Sequence, residues 1–289
     1  MEFICCEREV SVRRACSILD VNRSMHYYKS KRNDQPVVDA VLALADKHPR
    51  YGCPTITKML RRTNPWNHKR VERIYRMLDL KWRKRGRRRI PTRIKQSLLQ
   101  TAAPNVTWSI DFMHDSLWNG RKFRTFNVID DFNREVLAIE IDYSMPTARV
   151  IRALEEIIEF RGKPIRLRMD NGPEFISAMF EIWCNSQGIE LQYIQPGRPT
   201  QNAYIESFNG LYRRHVLDAH LFETLEEVRL VTEDWIKHYN TEKPHESLQD
   251  LTPQEYLLKY GQLERSISMD ELTTFQQIDD DGLVKFSFL

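Results

Sequence analysis

Three carboxylates stand at positions where an acid needs a reason. Asp111 lies inside the apolar stretch "WSIDFMH", Asp170 ends the run "PIRLRMD" just before Asn171-Gly172-Pro173, and Glu206 follows "PGRPTQNAYI" with thirty-five residues between it and Asp170. Burying a carboxylate in a strand costs several kcal/mol unless it is paired or bound to a cation. Each acid alone has an ordinary reading: a polar strand face, a turn cap, one helical glutamate among many. Together, two strands and a helix presenting three carboxylates could hold two divalent ions about 4 Å apart. Oxygen-only ligands suit Mg or Mn, and such a pair serves phosphodiester chemistry by activating a nucleophile and stabilising the leaving oxygen. Asp115, Asp130, Asp131 and Asp142 are competing acids, the middle two belonging to a turn with Asn133 and Arg134. His114, His215 and His245 are candidates to assist, while Asn171 and Asn209 are candidate phosphate or outer-sphere contacts.

The elements that must position these acids are legible in the patterning. From residue 106 three strand-like stretches are joined by short turns, an antiparallel meander. A helix over 147–162 closed by Gly162, a fourth strand "PIRLRMD", a helix closed by Gly188 and a fifth strand "IELQYIQP" follow. Alternating strand and helix implies parallel pairing beside the meander, a mixed five-stranded sheet with helices on its faces. That is the order of the ribonuclease-H-like fold. It makes the first strand central, with Asp111 beside the end of the fourth. "QNAYIESFNGLYRRHVLDAHLF" and "LEEVRLVTEDWIKHYNTE" read as closing helices, the first placing Asn202, Glu206, Asn209 and Arg213 on one face. The longest helix of apolar period is expected at 147–161.

Ahead of this α/β region the chain is helical and basic. Residues 1–100 hold 25 Lys/Arg against 9 Asp/Glu, and the remainder reverses the balance, 19 against 31. Two short helices are expected over 11–30, with Asn22 or Ser24 capping the second, then three more at 37–48, 55–62 and 67–80. In the last, Val71, Ile74, Met77 and Leu78 form the apolar face, leaving Lys69, Arg70 and Arg73 for a basic surface. The run "KWRKRGRRR" at 81–89, with Lys84, Arg85, Arg87, Arg88 and Arg89, holds seven cations and no acid. Such a run repels itself unless nucleic-acid phosphates neutralise it. The five scattered cysteines lack ligand spacing and read as reduced thiols, and no run of about 18 apolar residues suggests a membrane span. The expected organisation is 1–36 helical, 37–95 helix-turn-helix-like and basic, 100–260 catalytic core, and 261–289 an acidic tail without assignment.

"WSIDF", "NVIDDFNRE", "DNGPEF", "PGRPTQNAYIESFNG" and "HYNTEKPHESLQDLTPQEY" resemble, in order and spacing, the bacterial insertion-sequence transposases of the IS-three family, second-frame product, over about residues 9–258. The resemblance implies a retroviral-integrase-like catalytic domain whose D-D-(35)-E triad matches Asp111, Asp170 and Glu206, and a basic residue seven past the glutamate, matched by Arg213. It implies DNA strand cleavage and transfer with two Mg or Mn ions, double-stranded DNA as partner, a homo-oligomer on DNA, and a cytoplasmic, nucleoid-associated protein. It also implies fusion by frameshift to an upstream product supplying end recognition and a dimerisation helix. Two positions depart from the family: Arg214-His215 replace a common acidic pair, and Lys243-Pro244-His245 replaces Arg-Pro-His. A nuclease of the same fold that does not join strands, or a catalytically inert DNA-binding protein, are the alternative readings.

Overall fold

The computed structural model describes residues 11–28, 33–81, 101–172, 174–194 and 202–261. The front carries α1 (Val12–Ile18) and α2 (Arg23–Tyr27), each capped by a side chain at its start, Ser11 for the first and Asn22 for the second. A trihelical unit follows: α3 (Gln35–Lys47), α4 (Cys53–Thr63) and α5 (His68–Met77). Val37, Val41, Ile56, Leu60, Val71, Ile74 and Tyr75 form its core. The expected face of α5 is corrected at one place. Met77 is exposed and Tyr75 buried, because Val71, Ile74, Tyr75 and Leu78 share one helical face at three- and four-residue spacing and Met77 falls outside it; the Tyr75 hydroxyl donates to the Leu80 carbonyl at 2.9 Å.

The α/β region contains β1 (Thr107–Ser116), β2 (Lys122–Asp130), β3 (Val136–Asp142), α6 (Thr147–Arg161), β4 (Arg166–Met169), α7 (Ala178–Gln187), β5 (Glu190–Tyr193), α8 (Ala203–Tyr212), α9 (Leu225–Thr241) and α10 (Pro253–Tyr260). The sheet order is β3-β2-β1-β4-β5, antiparallel across the meander and parallel from β1 to β4 and β5. This is the mixed ribonuclease-H-like sheet expected from the patterning. Gly162 (φ 82°) and Gly188 (φ 67°) close α6 and α7 in a backbone region open to glycine. At 17 residues α9, expected as a closing helix, is the longest described helix, ahead of the 15 of α6.

β1 is buried on both sides. Trp108 and Ile110 pack with Val150, Leu154 and Phe180 of α6 and α7. Met113 packs with Ile205, Phe208 and Trp235 of α8 and α9. Each fully buried large apolar side chain contributes about 1.5–3 kcal/mol, so β1 is held rigidly where Asp111 leaves it. A buried ion pair fixes the neighbouring strands: the Arg168 guanidinium on β4 donates to Asp131 at 2.6 Å, and the Ser109 hydroxyl of β1 donates to the other Asp131 oxygen at 2.6 Å. Asp130 accepts from the Asn105 and Phe132 amides, each at 2.8 Å, and burial pushes its carboxyl up to about 6. The Asp130–Asp131 turn is therefore an internal brace.

The helical front docks on the core. Arg62 reaches Glu255 of α10 at 2.8 Å, and Tyr51 shares a 2.8 Å hydrogen bond with His238 of α9. No described helix is long and apolar enough to cross a membrane.

Candidate active site

Asp111 leaves the middle of β1 opposite Asn127 of β2. Its Oδ1 accepts from the Phe112 amide at 2.8 Å, and its Oδ2 accepts from the Asn209 side-chain amide at 2.7 Å. Asn209 is itself held by Asn127, which donates to its Oδ1 at 2.7 Å. Asn127 is fully buried and Asn209 nearly so. A relay thus runs from β2 through α8 to the carboxylate. Sequence reasoning found Asn209 and missed Asn127. The signal was the hairpin register, since Ser116 faces Lys122 across the Asn-Gly turn and the count backward pairs Asp111 with Asn127.

Asp170 lies one residue beyond β4. Its Oδ1 accepts from the Gly172 amide at 3.0 Å, so the turn both ends the strand and aims the acid. A Cβ at position 172 would sit 3.0 Å from that same oxygen. The loop beyond is pinned from several sides. Arg124 of β2 pairs with Glu174 while its guanidinium lies over the Phe112 ring, and the Phe112 ring stacks on Phe175. The Tyr193 hydroxyl donates to the Phe175 carbonyl at 3.1 Å. Arg124 and Glu174 were not singled out in the sequence, because alternation alone does not distinguish this arginine from others on β2. Asn171 is exposed, and its amide only grazes the Ile194 carbonyl at 3.5 Å, so it braces the strand end and touches none of the acids.

Glu206 sits in the first turn of α8 and is exposed, with partial burial moving its carboxyl upward. The convergence of the three acids is visible at Asp111. Its carboxyl is pushed up to about 6, first by burial and then by the negative charges of Asp170 and Glu206. A divalent cation would relieve the burial of negative charge at Asp111. The oxygen-only donor set fits Mg or Mn, with Asp111, Asp170 and Glu206 as the residues to hold it.

Arg213 follows α8 inside a single π-helical turn, Arg213–Leu217. That turn was not expected. The guanidinium donates to the His114 carbonyl at 2.7 Å and faces Asp115 at 3.4 Å. His114 is exposed, whereas His215 lies near Tyr51 against the helical front. His245 is buried against the Tyr239 ring and pushed down to about 3 by burial. Of the candidate DNA contacts, Lys69 is exposed at the start of α5. Arg70 and Arg73 both meet Asp34, at 2.9 and 2.6 Å. Lys84, Arg85, Arg87, Arg88 and Arg89 lie outside the described residues.

Two family models described as integrase core domain match residues 101–199 and 187–253, and one described as HTH-like domain matches 31–88. The 39.2 kDa protein of insertion element IS476 from Xanthomonas euvesicatoria is 40% identical over 87% of this chain and 73% of its own length. The InsK protein of insertion sequence element IS150 from Escherichia coli K12, named as a transposase, is 26% identical over 82% of this chain and 90% of its own. The HTLV-2 integrase catalytic core solved with magnesium aligns with a TM-score of 0.44 and 21% identity, covering 53% of this chain and 97% of that one. The chain belongs to the insertion-element transposases that join an HTH-like domain to an integrase core domain.

Proposed function

We propose that the chain cuts and joins DNA strands at the ends of an insertion sequence, through a metal-dependent site built on Asp111, Asp170 and Glu206. The observation that carries this reading is the placement of Asp111 in the central strand, held by the Asn127–Asn209 relay and acted on by the charges of Asp170 and Glu206. Two bound Mg or Mn ions would supply activation of water or a DNA 3′-hydroxyl and stabilisation of the departing oxygen. The chain's own contribution is positioning. β1 fixes Asp111 by burial on both faces, and the Asn127–Asn209 relay orients its Oδ2. The Gly172 amide fixes Asp170, while α8 carries Glu206 in its first turn, where its charge acts on Asp111. Arg213, tied to β1, presents positive charge beside the acids for a phosphate of the DNA backbone. The helical front and the basic run at 81–89 supply further phosphate contacts. No covalent protein–DNA bond is needed, because exchange of one phosphodiester for another is close to energy-neutral.

Glu206→Gln tests it. The amide keeps shape and loses charge, so strand cleavage and joining on labelled element ends should disappear with Mg or Mn while DNA binding stays. Wild-type joining by the variant would remove Glu206 from the site. Hydrolysis without joining by the wild type would favour a nuclease.

A further inference from the structure

A second cluster of ligating side chains lies away from the acids, between the helical front and the core. His48, which follows α3, meets His238 and Glu242 of α9, and one ligand atom from each lies within 4.8 Å of the others. From this geometry we infer that His48, His238 and Glu242 form a transition-metal site, suited to Zn, that fastens the helix-turn-helix unit to the catalytic core.

The donor chemistry differs from that of the triad. Two imidazoles and one carboxylate select a borderline-soft ion such as Zn over Mg. The arrangement is already that of a ligand set with its outer support. His238 Nδ1 lies 3.0 Å from Glu242 Oε2, close to the separation of two ligands on one tetrahedral ion. His238 Nε2 is then free to donate to the Tyr51 hydroxyl at 2.8 Å, the outer hydrogen bond that fixes the tautomer of a metal-bound histidine. The rings of His48 and His238 lie side by side with centroids 4.1 Å apart. The Nε2 of His48 is buried and finds no hydrogen-bond partner among the described residues. A buried imidazole nitrogen without a partner costs free energy, and a metal would satisfy it. A cavity of about 420 Å³ opens beside the cluster, leaving room for water to complete the coordination. One competitor is present: Lys47 faces Glu242 at 3.4 Å. Both side chains are about half exposed or more, and such a surface pair is weak enough for a divalent ion to displace.

The test uses the full chain stripped with a chelator, at neutral pH, with excess Mg present to occupy the triad. Co is titrated and read by its visible absorption, then displaced by Zn, and Zn is also followed by its effect on the thermal midpoint. The expected result is one tightly held ion per chain and a midpoint raised by Zn. Glu242→Gln, an isosteric change at a half-exposed position, and His48→Ala should each weaken binding by at least about tenfold and abolish the rise, with far-UV circular dichroism unchanged. Asp111→Asn should bind as the wild type does. Failure of the wild type to bind, wild-type affinity in either variant, or a thiolate charge-transfer band placing the ion on cysteine would overturn the assignment.

Discussion

Asp111 is charged against two opposing influences, its burial and the two neighbouring acids, and both act on folding as well as on chemistry. In metal-free protein its carboxyl is raised from 3.8 to about 6. The sign follows from which state binds the proton more tightly. Below about pH 4 the residue is protonated folded or unfolded and costs nothing. Between about pH 4 and 6 the unfolded chain has lost a proton that the folded state still holds, so stability falls across that window and is level above it. Asp111→Asn should therefore be more stable than the wild type in chelator at pH 8, by on the order of 2 kcal/mol after allowing for partial exposure. The gain should vanish near pH 4. Urea midpoints at the two pH values check this, and equal gains at both would contradict it. At Gly172 the prediction concerns geometry. A methyl group 3.0 Å from Asp170 Oδ1 forces the acid to shift by a few tenths of an ångström. Gly172→Ala should keep the fold and DNA affinity yet lower the cleavage rate by roughly 3- to 10-fold, since an error of about 1 Å costs about a hundredfold.

Among the elements, the strands and helices that carry the acids were readable because their patterning is strong. The meander has short turns at Asn119-Gly120 and Asn133-Arg134, and the later helices end at Gly162 and Gly188. What was not readable depends on pairs distant in sequence. Asp131 looks like a turn residue until β4 brings Arg168 beside it, and both are then buried, at 0% and 7% exposure. Asn127 gains a role only when α8 lies across β1. The π-helical turn at Arg213 has no marker in local composition. Met77 follows Ile74 by three residues but sits off the face set by Val71, Ile74, Tyr75 and Leu78, which the structure buries. The Asp131–Arg168 brace yields the prediction at this scale. Arg168→Met leaves Asp131 buried without its ion-pair partner and with only Arg134 acting on it from farther off, which should cost about 3 kcal/mol. Pairing it with Asp131→Leu should recover most of the loss. Denaturant unfolding of the single and double variants decides it, and additive losses would show that the two residues do not act as a pair.

At the scale of the whole molecule the charge division sets the path for a polyanion, with the basic front on one side of an acidic core. Among the described residues the structure shows which front cations are already occupied. Arg70 and Arg73 share Asp34, beside the start of α3, so much of their charge is spent inside the helical unit. The pairing with them also holds the Asp34 carboxyl below its usual range, Arg73 contributing most. Replacing Arg70 and Arg73 with Ala should then loosen the trihelical unit and change the salt dependence of DNA binding only slightly. The run at 81–89 has no acid within it to occupy its cations. Each phosphate contact contributes about 0.9 to the slope of log affinity against log salt. Neutralising Arg87, Arg88 and Arg89 together should flatten that slope by up to about 3 units with no change in the thermal midpoint. Fluorescence anisotropy on duplex DNA across a salt series, with melting curves for both triple and double variants, separates the two behaviours. An unchanged slope on removing Arg87, Arg88 and Arg89 would take the run off the DNA. A slope flattened by about 2 units on removing Arg70 and Arg73 would mean that DNA phosphates displace Asp34 from its two arginines when the complex forms.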